Sequence, residues 1–209
     1  MSQRTLAVCS WSMRPADAGQ LVERVTQSGV TAVQLALVPL VDAPKVWGES
    51  VTRLRDAGIR IESGMFAPRG EDYSSIPRIR DTGGLRADAL WQENQALAAK
   101  VARVARDIGL SLVTFHAGFI PHDAGDPLRG FRLLKPWVRQ VHAKDAQPSG
   151  QMDVWGRETP VGAGAVPWTA FMQEVRSLPP SVAVVIEREG GERRVQEVAS
   201  AKAFLQPML

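Results

Sequence analysis

Two histidines and a glutamate stand out in this 209-residue sequence. Each closes an apolar, β-type run at a point where a purely structural residue would usually be Val or Ile. His116 follows Leu112-Val113-Thr114-Phe115, His142 sits in Val141-His142-Ala143-Lys144-Asp145, and Glu187 follows Val184-Val185-Ile186. Imidazole and carboxylate groups serve as metal ligands and as proton donors or acceptors. Any one of them alone reads as a hydrogen-bonded core residue. Three gathered at the carboxyl ends of parallel strands read as a site. Nothing here has the fixed local spacing of a zinc finger or of an HExxH helix. Other groups at the same ends widen the set: Lys144, Arg188, Glu189 and Glu62, the last ahead of Ser63-Gly64-Met65-Phe66. Trp11, Trp155 and Trp168 are candidates to line a sugar-sized pocket, although packing is the usual role of tryptophan. His122, in a Pro/Gly/Asp loop, reads as a solvent residue. Gly162-Ala163-Gly164 lacks the flanking pattern of a phosphate loop. Cys9 reads as a small buried hydrophobe.

The elements that must position these groups alternate. Strands are expected over 6–10, 30–37, 59–66, 110–116, 138–143 and 182–187, and helices over 15–28, 42–58, 86–107, 127–135, 167–177 and 192–205. Three helices hand over to the next strand through a glycine, at Ser28-Gly29-Val30, Ala57-Gly58-Ile59 and Ile108-Gly109-Leu110. Glycine accepts the left-handed conformation that ends a helix and turns the chain back. Strand–helix alternation of this kind predicts βα units, a parallel sheet, and one domain spanning 1–209. Residues 67–85, 117–126 and 147–165 read as loops.

Composition mainly excludes. A chain that is 44% hydrophobic has the material for its own core. One cysteine rules out an internal disulfide and suits a reducing, cytoplasmic setting. No apolar run approaches a membrane span, and the first residues lack a secretory pattern, so no membrane partner is expected. The net charge of +3 comes from scattered arginines with acidic neighbours, without a run of five or more basic residues, so nucleic acid is not expected either.

Four of the strand-end segments carry a resemblance. Gly64-Met65-Phe66-Ala67-Pro68-Arg69-Gly70, Thr114-Phe115-His116-Ala117-Gly118-Phe119-Ile120-Pro121, Val141-His142-Ala143-Lys144-Asp145-Ala146 and Val185-Ile186-Glu187-Arg188-Glu189 resemble the sugar phosphate isomerase/epimerase family, the xylose isomerase-like TIM barrels. The stretch from Trp155 through Gly162 and Gly164 to Trp168 is similar as well. The resemblance implies an eight-stranded barrel with a divalent metal (Mn, Mg or Zn) at its mouth, held by Glu, Asp, His and Glu from the last four strands. It maps His142 to the strand-seven ligand and Glu187 to the strand-eight ligand, with both as catalytic residues and Glu187 as general base. His116, Arg188, Lys144, Glu62 and Trp11 are then expected around a small sugar or sugar phosphate.

The other two ligands have no counterpart. After His116 the chain passes from what resembles the family's fourth helix, at Asp126-Pro127-Leu128-Arg129-Gly130, directly into what resembles the end of its sixth. Eight βα units take ~250 residues, so 209 residues correspond to an α/β barrel that has lost strands five and six. Glu62, Asp145 or a carboxylate from a second copy are the possible replacements. The shortened sheet either closes as a narrow (βα)6 barrel or stays open, its exposed edges then favouring a homodimer. The function implied is that of an isomerase/epimerase-like protein, or of a catalytically degenerate relative acting as a binding or assembly module. An endonuclease of the related apurinic type would need more ligands than three histidines supply.

Overall fold

The computed structural model describes residues 4–85, 88–118, 127–151 and 153–209. Six short strands form one parallel sheet. They are β1 (Leu6–Cys9), β2 (Ala32–Ala36), β3 (Arg60–Phe66), β4 (Val113–Phe115), β5 (Gln140–Ala143) and β8 (Ala183–Ile186), in the order β4-β3-β2-β1-β8-β5. Each lies within one of the six expected strand segments. A two-stranded antiparallel hairpin, β6 (Asp145–Gln147) with β7 (Arg157–Thr159), follows β5, and its second strand lies inside what the sequence presents as a Gly/Pro loop.

The sheet is curled and open. Ser63 Oγ on β3 donates to Gln140 Oε1 on β5 at 2.6 Å, although β2, β1 and β8 lie between these strands. Across a flat sheet the two strands would stand ~19 Å apart, four spacings of ~4.8 Å. Curling therefore brings their inner faces together. No ladder joins β4 to β5 among the described residues, so these two are the edges of a partial barrel. That settles the choice between a closed and an open sheet.

Helices cover the outer face: α1 (Ala18–Gln27), α2 (Val38–Asp42), α3 (Pro44–Trp47), α4 (Ser50–Asp56), α5 (Ile76–Thr82), α6 (Trp91–Ile108), α7 (Pro127–Leu134), α8 (Trp168–Arg176) and α9 (Arg194–Leu205). Leu21, Val25, Leu54, Leu97, Val101, Met172, Val175 and Val198 pack from them against Leu6, Val8, Val33, Leu35, Val184 and Ile186. The second, inner cluster is small: Ala7, Cys9, Ala32 and Val185, with Trp11 above them. Strands buried on both faces read as continuous apolar runs, which is why β1 and β8 were plain in the sequence.

The helix expected over 42–58 is two pieces, α3 and α4, and a further short helix, α2, precedes it. Proline stands at the first turn of both α2 and α3, where a missing N–H is tolerated and a continuing helix is not. α5 lies in the segment expected to be a loop. Its N-terminus is capped by Ser75, whose side chain accepts from the Arg78 N–H.

Candidate functional site

A cavity of about 860 Å³ opens at the carboxyl ends of the strands. Trp11, Val38, Pro39 and Met65 form much of its apolar wall, and Glu71, Tyr73, His116, His142, Lys144, Glu187 and Glu189 supply its polar groups. Of the expected site residues, His116, His142, Lys144, Glu187 and Trp11 meet here.

Two polar groups face each other across the cavity. On the β5/β8 side, His142 pairs with Val185 in the strand register, which sets Glu187 just beyond it. His142 Nδ1 donates to Glu187 Oε2 at 2.8 Å, and Gln140 Nε2 donates to His142 Nε2 at 3.1 Å. Ser63 completes the chain by donating to the same Gln140 amide. This relay fixes the tautomer in which Nδ1 carries the proton. Lys144 Nζ lies 3.6 Å from Glu187 Oε1 and 3.9 Å from Glu158 Oε2, and it also contacts Glu189. Burial alone would raise the Glu187 carboxyl. The His142 hydrogen bond, the Lys144 charge and a hydrogen bond from Trp11 outweigh it and bring the group down to about 2. Glu187 is therefore a carboxylate throughout the neutral range.

On the β3/β4 side, His116 Nδ1 lies 3.0 Å from both Glu71 Oε1 and the Tyr73 hydroxyl. The Glu71 hydrogen bond lifts the His116 pKa above 6.5 against the opposing effect of burial. Burial and the Glu71 charge push the Tyr73 hydroxyl upward. Gly84 makes this arrangement possible. Its N–H donates to Glu71 Oε1, its φ is +75°, and a Cβ there would lie 2.4 Å from the Gly118 nitrogen. Only glycine permits so close a backbone approach. Sequence reading missed Glu71 and Tyr73. The glycine pair Gly83-Gly84 was the available signal, because a strained glycine marks a place where the chain packs on its own backbone.

Three expectations need correction. Glu62 lies near the amino end of β3, with Arg60 3.0 Å away, and lines a separate cavity with Arg139, Gln140 and Ser181. It belongs to the opposite end of the barrel from His142. Arg188 does not reach the cavity either. Its side chain is 7% exposed and bridges Glu158 at 2.8 Å and Glu197 at 2.7 Å, clamping the hairpin to α9. Asp145 cannot replace a missing ligand, because its carboxylate is occupied. Oδ1 accepts from the Ala146 and Val166 N–H groups and Oδ2 from those of Gly162 and Gly164 and from the Trp168 indole. The Gly162–Gly164 stretch is thus a carboxylate cradle for the chain itself. Trp168 packs on Phe171 and Phe204, and Trp155 lies outside the cavity. His122 falls outside the described residues.

The donors of the cavity set which divalent ion fits it. An oxygen-preferring cation wants about six oxygen-rich ligands. Among the described residues it would find Glu187 and His142, while Glu189 is engaged by Lys144 and Glu71 by His116. That set does not fit magnesium. A smaller set does exist: Cys9, His142 and Glu187 each offer one ligand atom, all within 4.8 Å of one another.

No protein-family model and no curated protein matches the sequence. Solved structures match in shape. A xylose isomerase domain protein from Planctomyces limnophilus aligns with a TM-score of 0.82 at 18% identity, over 99% of this chain and 98% of that one. D-Psicose 3-epimerase from Clostridium cellulolyticum H10, with D-tagatose, aligns at 0.57 and 13% identity, covering 98% and 99%. A xylose isomerase-like TIM barrel protein from Mycobacterium smegmatis, in complex with magnesium, aligns at 0.57 and 11%, covering 99% and 96%. At these identities the likeness is one of fold: the chain has the xylose isomerase-like barrel architecture in an open, six-stranded form.

Proposed function

We propose that the cavity binds a small sugar or polyol and that the chain is an isomerase/epimerase-like protein, with Glu187 as proton acceptor. The observation that carries this reading is the meeting, in one cavity, of an ionised, largely buried carboxylate, an ammonium and an indole wall. Polyhydroxy ligands need this combination: charged partners for hydroxyls and an aromatic face for C–H groups. The lining sets Glu71, Glu187 and Glu189 against Lys144 and the two histidines, and Arg188 is committed elsewhere. This balance favours an unphosphorylated ligand.

On a bound ketose, Glu187 would take the proton from the carbon next to the carbonyl. The C–H bond breaks, its electron pair forms the enediolate, and the Lys144 ammonium faces the oxygen on which charge develops. Return of the proton from Glu187 to the neighbouring carbon, with the adjacent hydroxyl proton passing to the former carbonyl oxygen, completes an isomerisation. Return to the same carbon from His116, on the opposite wall, completes an epimerisation. A thiophilic divalent ion such as zinc, held by His142 and Glu187, would supply Lewis acidity to the bound sugar.

One observation favours a second reading, a binding module without turnover. A carboxylate brought down to about 2 is a weak base at neutral pH, far from the match that general-base catalysis prefers. Titration of D-tagatose into the full chain, with exchange of its carbon-bound protons followed by NMR in deuterated water, separates the two. Binding with exchange that Glu187→Gln abolishes supports the enzyme. Binding without exchange supports the module, and the absence of any binding overturns both. We also propose a cytoplasmic homodimer that covers the open edges. Phe115, Leu133, Leu134 and Trp137 are exposed near β4 and β5. A light-scattering mass of one chain would refute the dimer.

A further inference from the structure

We infer that Cys9 is the third protein ligand of a thiophilic metal site, completed by His142 and Glu187 and suited to zinc rather than magnesium. The inference concerns the same cavity as the sugar reading, but it stands or falls separately. Cys9 ends β1 on the inner face of the curled sheet, in the small cluster with Ala7, Ala32 and Val185. Its thiol is fully buried and donates to Gln34 Oε1 at 3.6 Å, and its ligand atom is within 4.8 Å of those of both His142 and Glu187. Four-coordinate zinc accepts thiolate, imidazole and carboxylate together and leaves a fourth position open, whereas magnesium has little use for a sulfur ligand.

The outer partners point the same way. Functional metal ligands are held by a second layer of hydrogen bonds that orients each donor, and all three residues have one. Ser12 bonds the Cys9 sulfur, and its hydroxyl oxygen accepts from the Arg188 N–H at 2.9 Å, which leaves the hydroxyl proton for the sulfur. Gln140 holds the His142 ring from behind, and Trp11 and Lys144 hold Glu187. A cysteine that served only to fill space would need neither a hydroxyl partner nor a place beside an imidazole and a carboxylate.

Binding breaks the Cys9 S–H bond and forms a sulfur–metal bond, and the thiol proton passes to water. His142 binds through Nδ1, and its ring proton moves to Nε2. The Gln140 amide turns over so that its oxygen accepts that proton and its NH2 donates to Ser63. No oxidant or further reactant is required. Gln140 is a positioning residue in this scheme, because it acts through His142.

The test uses the full chain with cobalt(II) alone, then with zinc and magnesium as competitors. One cobalt ion per chain is expected, with a sulfur-to-cobalt charge-transfer band in the near ultraviolet and the intense visible bands of four-coordinate cobalt. Zinc should displace it and magnesium should not. Cys9→Ala adds no bulk beside Ala7 and Ala32, and circular dichroism checks its fold. It should remove the ultraviolet band and weaken binding by more than the ~10–100-fold that loss of an outer partner costs, while Gln140→Leu should fall within that range. His142→Ala, at an exposed side chain, provides a second variant that leaves the core intact and should lose the ion as well. Cobalt bound without the ultraviolet band, a band unchanged in folded Cys9→Ala, equal displacement by magnesium, or no binding at all would each overturn the inference. D-Tagatose titrated into metal-free Cys9→Ala reports on the sugar reading independently of this outcome.

Discussion

Replacing Asp145 should unfold the link between the sheet and the hairpin that borders the site. Asp145 is 1% exposed, and its two oxygens accept five hydrogen bonds, four from backbone N–H groups and one from the Trp168 indole, at 2.8–3.2 Å. Asp145→Ala removes all five acceptor contacts at once. Each bond to a charged group is worth ~1.5–3 kcal/mol, but the bonds share one carboxylate and water can enter the space left behind. The expected loss is therefore about 3–5 kcal/mol, the range for breaking a buried charged network. Asp145→Asn isolates the geometry. Its single oxygen will turn to the side with three donors, which leaves its NH2 against the Ala146 and Val166 N–H groups. Two unsatisfied donors at ~1–3 kcal/mol each give about 2–6 kcal/mol. Urea unfolding followed by circular dichroism measures both variants. Losses under ~1 kcal/mol in both would refute the reasoning, since five buried donors cannot forfeit one acceptor so cheaply.

Other predictions also concern stability. Gly164→Ala places a Cβ 2.0 Å from Asp145 Oδ1, so the cradle must open and the midpoint of thermal melting must fall; an unchanged midpoint would show that the cradle is slack. Arg188→Met leaves Glu158 and Glu197 facing each other without their cation and should cost about 3–5 kcal/mol, whereas a change within ±0.5 kcal/mol would place Arg188 outside the packed core. The folded-state pKa of His116 is raised above 6.5, so its pairing with Glu71 stabilises the fold fully below that value and is lost as pH rises through the folded pKa. Melting curves from about pH 6 to about pH 9 should show a decline that His116→Gln removes, and an identical decline in the variant would refute the assignment.

Much of this architecture was legible in the residues. The strands are apolar runs set off by glycine caps, and parallel strands buried on both faces announce themselves that way. Because strand ends are then known, His142, Glu187, His116 and Lys144 could be assigned to one end of the sheet. Glu62 shows the limit. It sits four residues before Phe66, about 13 Å at ~3.3 Å per residue, so its own strand carries it away from the mouth. Arg188 follows Glu187 directly, but its direction is set by Glu158 and Glu197, which are distant in sequence and reach it only through the hairpin and α9. Glu71 and Tyr73 lie in a segment without periodicity, and nothing local says which way they point. The same holds for Asp145: the spacing to Gly162, Gly164 and Trp168 has meaning only after β6 and β7 have paired.

The place of β8 between β1 and β5 bears on the order in which the molecule is made. β1 to β4 are neighbours in sequence and in space, so a four-stranded half can assemble while the rest of the chain is still on the ribosome. β5 has no such opportunity. Among the described residues its one ladder partner is β8, so Gln140–Ala143 must wait until Ala183–Ile186 emerges and slots in against β1. His142 and Glu187 ride on these two late strands. The nascent protein therefore holds the halves of its reactive pair apart, and they first meet in a long-range closure, the slow kind of step in a fold of this topology.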